Sequence, residues 1–331
     1  MGDLLEVKNL NVSFKTYAGK VSALNGVSFS VSDGEAIGIV GESGCGKSVT
    51  MLAIMKLLSE NGRIDSGKIV FGGNEIQNFT QKQMQALRGK EIGMIFQDPM
   101  TSLNPVFKIG NQLTEAILRH NGISKEEAGK KAVETLKTVG IPDPEKRMDQ
   151  YPFEYSGGMR QRILIAMALS CSPRLLIADE PTTALDVTIQ AQIIELMKAL
   201  KDRLGMSIIL ISHDFGVVAG ICRRVMVMYG GIIVEQGKVD EIFYKPAHPY
   251  TIGLLKSIPG ANPGKGRLKP IDGQPPDMLK SPEGCPFVQR CPRAMVICTI
   301  RMPGYRELEP GHGTACWLHY NDLIQKEIFR L

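Results

Sequence analysis

The segment from Gly41 to Ser48, which reads GESGCGKS, constrains the fold of this chain more than any other feature of its sequence. It follows the continuous apolar run from Ala36 to Val40, which is typical of a strand buried on both faces. A helical pattern from Lys47 to Leu58 comes next. Glycines at a strand-to-helix turn let successive backbone N–H groups point at phosphate oxygens, beside the partial positive charge of the helix N-terminus. The segment therefore predicts an α/β fold that binds a nucleotide.

Four polar side chains next to predicted strands suggest phosphoryl-transfer chemistry. Lys47 is expected to reach the β- and γ-phosphates, and the Ser48 hydroxyl is expected to ligate magnesium. The apolar strand from Leu175 to Ala178 ends in Asp179 and Glu180. Asp179 can hold the magnesium shell, and Glu180 can polarise a water for in-line attack on the γ-phosphate. Two adjacent acids alone fit a solvated strand end equally well, so their meaning depends on the rest of the site.

A second phosphate-binding helix start lies at Ser156–Arg162, which reads SGGMRQR. The simplest use of two such sites in one chain is a head-to-tail dimer that holds nucleotide between the GESGCGKS segment and the SGG segment. The stretch resembles the signature motif of ABC-transporter ATPases, whose usual form is LSGGQ. Tyr155 and Met159 stand at its outer positions here, and peptide-importer members of the family share the SGGMRQR form.

The fold that this resemblance implies agrees with the sequence patterns. Strands that alternate with helices predict a mostly parallel sheet covered on both faces, as in an α/β P-loop NTPase (RecA-like) core. Leu4–Val31 alternates apolar and polar residues, which predicts an N-terminal antiparallel β subdomain. Residues 98–160 are expected to form an inserted α-helical subdomain. We therefore expect an ABC ATPase domain over residues 1–240 and an irregular Cys/Pro-rich C-terminal extension over residues 241–331.

The resemblance also assigns roles to residues outside the two phosphate-binding segments. Gln97 matches the Q-loop glutamine that contacts magnesium or the attacking water, and Asp186 matches the D-loop that crosses the dimer interface. His213 matches the switch histidine that contacts the γ-phosphate. Phe14 matches the aromatic residue that stacks on adenine, with Tyr17 as the alternative.

The predicted sites are then as follows. Catalysis is assigned to Glu180 and His213. Contacts with ATP are assigned to Phe14, Gly41, Glu42, Ser43, Gly44, Cys45, Gly46, Lys47, Ser48, Val49, Gln97 and Asp179. Contacts with the ATP of the opposite protomer are assigned to Ser156, Gly157, Gly158 and Met159, and Mg²⁺ is assigned to Ser48 and Gln97.

The last quarter of the chain differs in composition. Residues 240–331 hold twelve of the 19 prolines and four of the seven cysteines. Ala247–Thr251 resembles the HPYT element in the C-terminal extension of oligopeptide, dipeptide and nickel importer ATPases. The resemblance continues through the cysteines and covers essentially the whole chain.

The spacing C-x5-C-x6-C-x17-C of Cys285, Cys291, Cys298 and Cys316 allows three interpretations. Disulfides do not suit the expected cytosolic compartment. Metal binding is favoured over free thiols because the four cysteines lie close together in the sequence. Zinc sites usually show C-x2–4-C pairs, which are missing here, whereas iron–sulfur clusters accept looser spacing. The resemblance points to a [4Fe–4S] cluster, and Zn²⁺ and no metal stay open as alternatives.

Charge and hydropathy bear on location and partners. The net charge of +5 is spread along the chain without a basic run, so we expect no nucleic-acid partner. We find neither a signal peptide nor a membrane span, and expect a peripheral protein at the cytoplasmic face of the membrane.

The resemblance implies an ATPase that drives dipeptide or oligopeptide import. Its implied partners are two transmembrane permease subunits, a second ABC ATPase or a second copy of this chain, and an extracytoplasmic peptide-binding protein. Import of nickel or glutathione, and a soluble non-transport ABC ATPase, are the alternatives.

Overall fold

The computed structural model describes residues 2–97, 102–183, 185–257, 270–279 and 283–320. The strands are β1 (Leu5–Thr16), β2 (Gly19–Val31), β3 (Ala36–Val40), β4 (Gly62–Phe71), β5 (Asn74–Glu75), β6 (Ile92–Ile95), β7 (Leu175–Asp179), β8 (Ser207–Ile211), β9 (Arg224–Tyr229), β10 (Ile232–Lys238), β11 (Arg306–Glu309) and β12 (His312–Thr314). The helices are α1 (Lys47–Ile54), α2 (Gln81–Leu87), α3 (Ile109–Asn121), α4 (Lys125–Thr138), α5 (Pro144–Arg147), α6 (Gly157–Leu169), α7 (Val187–Leu204), α8 (Phe215–Ile221), α9 (Val239–Tyr244), α10 (Pro249–Lys256) and α11 (Ile297–Ile300).

Two sheets organise these elements. The smaller sheet has the order β2-β1-β4-β5 and is antiparallel, which confirms the predicted N-terminal β subdomain. The larger sheet has the order β11-β12-β10-β9-β3-β8-β7-β6. Its strands β9, β3, β8, β7 and β6 are parallel, and β3, β7 and β8 are buried along their whole length. The carboxyl ends of parallel strands share one edge of a sheet, where α/β proteins form their sites.

The segment between β6 and β7 is helical, as predicted. Ile109, Leu113 and Ile117 recur every four residues on α3 and are fully buried, which places them on one face of the helix. Helix α4 begins with a capping box in which Ser124 and Glu127 exchange hydrogen bonds, and it buries Ala128, Ala132 and Leu136 in the same core. The insert therefore packs through an apolar core that is continuous with that of the main sheet.

One helix ends earlier than the sequence pattern indicates. The pattern runs from Lys47 to Leu58, but α1 ends at Ile54 and the backbone turns at Lys56 with a φ of 52°. Arg88 donates from Nε to the Met55 carbonyl and from Nη2 to the Lys56 carbonyl. These two contacts satisfy carbonyl groups that a helix end leaves without a partner inside the helix.

The C-terminal extension contains more regular structure than its proline content indicates. Helix α10 begins at the HPYT element, and the β11–β12 hairpin extends the main sheet through pairs such as Glu235 with Thr314. The hairpin covers a strand edge that would otherwise present unpaired backbone groups. Among the described residues, no helix is both long and apolar enough to cross a bilayer.

Candidate functional site

The Gly41–Ser48 loop follows β3 and leads into α1, as predicted. Gly41 has a φ of 154°, and a Cβ atom there would lie 2.2 Å from the Met228 carbonyl oxygen. Gly46 has a φ of 108° and precedes α1, where a Cβ would lie 2.7 Å from a Leu24 methyl group. Close backbone approach requires glycine at both positions. Ser43 and Gly44 at the tip of the loop are exposed, so the backbone there is accessible to a ligand.

Lys47 is folded back over the loop rather than extended into solvent. The residue is 6% exposed, and its Nζ donates to the Gly41 carbonyl at 2.8 Å and to the Glu42 carbonyl at 2.9 Å. The third hydrogen of the ammonium faces Cys45 Sγ at 3.8 Å, and because sulfur is a weak acceptor, an anion can replace that contact. The ammonium is thus held beside the turn where the sequence places the phosphates.

Asp179 at the end of β7 fits a role at a magnesium site. Burial raises the pKa of its carboxyl, while the nearby Ser48 hydroxyl lowers it. Its Oδ1 is buried and has no hydrogen-bond partner among the described residues. A buried oxygen of this kind needs a partner, and Mg²⁺ prefers oxygen ligands. Asp179 and Ser48 therefore form a donor set that suits the cation.

Glu180 is the centre of a polar group that joins three predicted site residues. Its Oε2 accepts hydrogen bonds of 2.9 Å from Gln97 Nε2 and from Thr183 Oγ1. His213 Nδ1 lies 3.5 Å from its Oε1. The Glu180 side chain is 15% exposed, whereas His213 is open to solvent. The structure thus brings together Gln97, Glu180 and His213, which follow three different strands.

The backbone at Glu180 is in the left-handed region, with a φ of 49°. Its N–H donates to the Ile211 carbonyl at 3.0 Å, so the strained conformation is held by the neighbouring strand β8. Strain of about 1–3 kcal/mol at a non-glycine residue is typical of functional positions. Thr183 was missed by the sequence reasoning, and its position three residues after Glu180 was the available signal.

The SGG segment forms the start of α6. Ser156 caps the helix by accepting a hydrogen bond from the Met159 N–H, and both Ser156 and Gly157 are exposed. A Cβ at Gly158 would lie 2.8 Å from Ile189 Cγ2, so this glycine permits close packing of α6 on α7. Asp186 caps α7 by accepting from the Ile189 N–H at 3.0 Å. Ala184 of the predicted D-loop lies outside the described residues.

The two candidates for adenine stacking differ in exposure. Phe14 is half-buried in β1, and its ring lies 2.6 Å from the position that a Cβ at Gly62 would occupy. Tyr17 lies in the turn after β1 and is fully exposed. The partly buried Val49 side chain packs against the core. The assignment between Phe14 and Tyr17 stays a prediction.

The four cysteines of the extension line one small cavity. Burial raises the pKa of the Cys285 thiol to about 12 and that of the Cys316 thiol to about 11, and it also raises the pKa of Cys291. All the cysteines are free thiols. Within the described residues, no group of three or more His, Cys, Asp or Glu side chains has the arrangement of metal ligands. The thiols share a cavity, but the predicted cluster is not shown.

Sequence reasoning did not reveal that the extension contacts the Gly41–Ser48 loop. The Glu42 N–H donates to the Tyr250 hydroxyl at 2.9 Å, and Arg290 forms a two-point ion pair with the Glu42 carboxylate. No local pattern signals these contacts, because 208 and 248 residues separate the partners.

Comparisons with known proteins cover both parts of the chain. The ABC transporter family profile matches residues 24–183, and the profile of the oligopeptide/dipeptide transporter C-terminal region matches residues 234–298. The chain is 56% identical to the oligopeptide transport ATP-binding protein OppD of Bacillus subtilis, over 98% of this chain and 91% of that protein. It is 53% identical to the dipeptide transport ATP-binding protein DppD of the same organism, over 96% of this chain and 95% of that one.

Solved structures agree with the fold. The dimeric ATP-binding cassette MJ0796 bound to ADP and Pi matches with a TM-score of 0.64 at 27% identity, over 71% of this chain and 98% of that one. CbiO1 from Clostridium perfringens, part of the ABC transporter complex cbiONQ, matches with a TM-score of 0.64 at 29% identity, over 74% and 92%. The chain belongs to the family of ABC transporter ATP-binding proteins, in the branch that carries the oligopeptide/dipeptide transporter C-terminal region.

Proposed function

We propose that this chain binds and hydrolyses ATP as a subunit of an ABC importer for dipeptides or oligopeptides. The observation that carries the proposal is the group formed by Gln97, Glu180 and His213 at the sheet edge where the Gly41–Ser48 loop lies. The transport function rests on relatives that are named oligopeptide and dipeptide transport ATP-binding proteins and match nearly the whole chain.

In this proposal the residues divide the work of phosphoryl transfer. The loop N–H groups and Lys47 would hold the phosphates. Ser48, Gln97 and Asp179 would hold Mg²⁺, which would supply charge neutralisation. Glu180 accepts the proton of the attacking water. Gln97 and Thr183 keep the Glu180 carboxylate oriented through their 2.9 Å hydrogen bonds. His213 Nδ1 lies 3.5 Å from the same carboxylate, and its proposed partner in the loaded site is the γ-phosphate.

The active unit in this proposal is a dimer. Ser156 and Gly157 are exposed at the start of α6, and Val187, which follows Asp186, is an exposed apolar residue. These features suit a surface that faces a partner cassette and its nucleotide. The two solved structures of the similar cassette MJ0796 are dimers. The partner is either a second copy of this chain or a related ATPase.

A cleft of about 320 Å³ is the proposed docking place for a membrane subunit. It lies between β6 and the helices α3 and α6, and Met94, Phe96 and Leu164 are among its lining residues. Phe96 is exposed there and directly precedes Gln97. A permease segment bound in this cleft would therefore lie next to a residue that contacts Glu180. In this proposal the chain works at the cytoplasmic face of a membrane, in a complex that also uses an extracytoplasmic peptide-binding protein.

We also propose the domain bounds and a metal cluster in the extension. The ATPase domain covers residues 1–240 and the extension covers residues 241–331, although β12 of the extension pairs with β10. The four thiols would hold a [4Fe–4S] cluster, with Zn²⁺ as the alternative; the supporting observation is that they line one cavity. The cluster would cross-link a segment with little core of its own. Anaerobically purified protein should be coloured and contain iron, and a colourless, iron-free sample would reject the cluster.

The transport proposal is tested by uptake of a labelled dipeptide into cells that produce the chain with its partner subunits. Lys47→Ala should abolish both uptake and ATP hydrolysis, because it removes the ammonium that faces the phosphates. Lys82→Ala is a matched control, since Lys82 is an exposed residue on α2. ATP hydrolysis that continues without peptide uptake would support an ATPase whose complex carries a different substrate.

A further inference from the structure

The C-terminal extension places a buried cation against the second residue of the Gly41–Ser48 loop. Arg290 donates from Nη1 to Glu42 Oε2 at 2.5 Å and from Nη2 to Glu42 Oε1 at 2.9 Å. The Arg290 side chain is 4% exposed, and that of Glu42 is 28% exposed. A two-point pair of this kind fixes direction as well as distance.

The remaining donors of Arg290 are also used. Its Nε donates to the Asp272 carbonyl at 3.0 Å, and its Nη2 donates to the Ile271 carbonyl at 3.1 Å. Its guanidinium lies 5.7 Å from the centre of the Tyr229 ring, and its Nη1 is 3.2 Å from the Tyr229 hydroxyl. These contacts hold the guanidinium in one position, so it does not behave as a mobile surface charge.

The segment that carries Arg290 is itself well anchored. Arg290 ends a short 3-10 turn, Val288–Arg290, which lies between Cys285 and Cys291. The Cys285 N–H donates to the Cys298 carbonyl at 2.8 Å. Phe287 is buried and packs edge-on against Tyr229 and Tyr250, with ring centres 5.2 and 5.3 Å apart. The cysteine cavity and the nucleotide loop are therefore joined through one packed segment.

Three groups of Glu42 have hydrogen-bond partners: its backbone N–H, its carbonyl and its carboxylate. Its N–H donates to the Tyr250 hydroxyl, its carbonyl accepts from Lys47, and its carboxylate pairs with Arg290. An unpaired carboxylate in this loop would repel the phosphates that the loop is proposed to bind, because like charges at close range raise the free energy of the bound state. Arg290 neutralises this charge and directs the carboxylate towards the extension.

We propose that Arg290 is a positioning residue for ATP binding, which cancels the Glu42 charge and keeps the Glu42 carboxylate directed towards the extension. The inference rests on the proposed ATPase function. It gives the extension a direct role in nucleotide affinity, in addition to its place at the edge of the main sheet.

If the Arg290–Glu42 pair had only a structural role, the single variants would affect nucleotide binding differently. If the pair only stabilised the fold, removing either partner would weaken nucleotide binding through the same loss of order. If charge cancellation matters, the two single variants act in opposite directions. Arg290→Ala leaves a carboxylate beside the phosphates, whereas Glu42→Gln leaves a cation there.

The experiment measures mant-ATP affinity, ATP hydrolysis and melting temperature for the full-length chain. Arg290→Ala should raise the Kd of mant-ATP at least about tenfold, which corresponds to roughly 1.4 kcal/mol, with kcat at saturating ATP little changed. Glu42→Gln should lower the Kd below the wild-type value, because it leaves the Arg290 cation without its carboxylate partner beside the phosphates. Glu42→Gln combined with Arg290→Ala should restore the Kd to within about threefold of wild type. Lys245→Ala removes an exposed charge pair of the extension and should have no effect.

Each outcome decides the proposal. A Glu42→Gln variant whose Kd is at or above the wild-type value, or a double variant that binds as weakly as Arg290→Ala, would overturn charge cancellation. If Arg290→Ala does not fold, Arg290→Lys keeps the charge but loses the two-point geometry, and its Kd should fall between those of wild type and Lys47→Ala. A wild-type Kd in folded Arg290→Ala would reject the inference alone. Wild-type protein that binds mant-ATP no better than Lys47→Ala would instead reject the proposed function.

Discussion

The Gln97 side-chain amide donates a 2.9 Å hydrogen bond to the Glu180 carboxylate, although the two residues are 83 positions apart in the chain. Gln97 follows β6 and Glu180 follows β7, and these strands are parallel neighbours. The same Glu180 oxygen also accepts from Thr183, so two donors fix the carboxylate while its other oxygen faces His213. A general base needs such a fixed direction to receive a proton from a bound water.

Glu180→Gln should remove hydrolysis and keep ATP binding. The amide is nearly the same size and keeps hydrogen-bonding capacity, but it cannot accept the proton, so we expect kcat to fall at least about 100-fold. ATP-dependent dimers should then accumulate and be visible by size-exclusion chromatography. Glu195→Gln, at an exposed position on α7, is the matched control. A wild-type turnover rate in Glu180→Gln would disprove the assignment of the base.

Adjacent glycines of the SGG segment should respond differently to alanine. A Cβ at Gly158 would lie 2.8 Å from Ile189 Cγ2, whereas a Cβ at Gly157 would have its nearest neighbour, a Leu185 methyl group, at 3.7 Å. Gly158→Ala should therefore destabilise the fold by about 1–3 kcal/mol through overpacking. Gly157→Ala should keep the wild-type melting temperature and lower ATPase activity by obstructing the partner's nucleotide. Equal melting temperatures for both variants would contradict this packing argument.

Two glutamates that contact residues of the extension should differ in their contribution to the free energy of unfolding. Glu235 is fully buried, and it accepts from the N–H groups of Ala247 and His248 and lies 2.9 Å from His312 Nε2. Glu235→Gln would place an amide N–H against one of these donors, which should cost about 2–4 kcal/mol of unfolding free energy. Glu309→Gln breaks an exposed pair with Lys245 and should cost less than about 1 kcal/mol. Urea titration measures both changes, and similar losses would contradict the role of burial.

His248 should make the fold sensitive to acid. Burial lowers the pKa of His248 to about 3, so it stays neutral in the folded chain while the unfolded chain takes up a proton below about pH 6.5. The contribution of neutral His248 to the free energy of unfolding is therefore complete above about pH 6.5. It declines as the pH falls towards 3, and the loss is about 2 kcal/mol at pH 5.

His248→Asn isolates this effect. The side-chain oxygen of the introduced asparagine can replace His248 Nδ1 as acceptor for the Tyr250 N–H at the start of α10, and asparagine does not titrate. The variant should lose less stability than wild type between pH 7.5 and pH 5 in urea titrations. Parallel pH dependences of the two proteins would show that His248 is not the responsible group.

Much of the site was predictable because it is built from strand ends. Short apolar runs mark β3, β7 and β8, and the residues that follow parallel strands converge at one edge of the sheet. The bounds predicted for β3 and β7 agree with the structure to within one residue. The sequence also predicted the turn at Gly41 and Gly46, because the close approach of neighbouring atoms at these two positions excludes residues with a side chain.

The sequence by itself determined the α/β core, the Gly41–Ser48 loop and the order of the candidate site residues, because these depend on local periodicity and backbone geometry. Only the tertiary structure decided that Thr183 contacts Glu180, that β12 joins β10, and that Arg290 pairs with Glu42. Arg290 lies in a proline-rich segment with no repeating pattern, and its partner is 248 residues away. Such contacts follow from the packing of buried surfaces, and no short stretch of sequence encodes them.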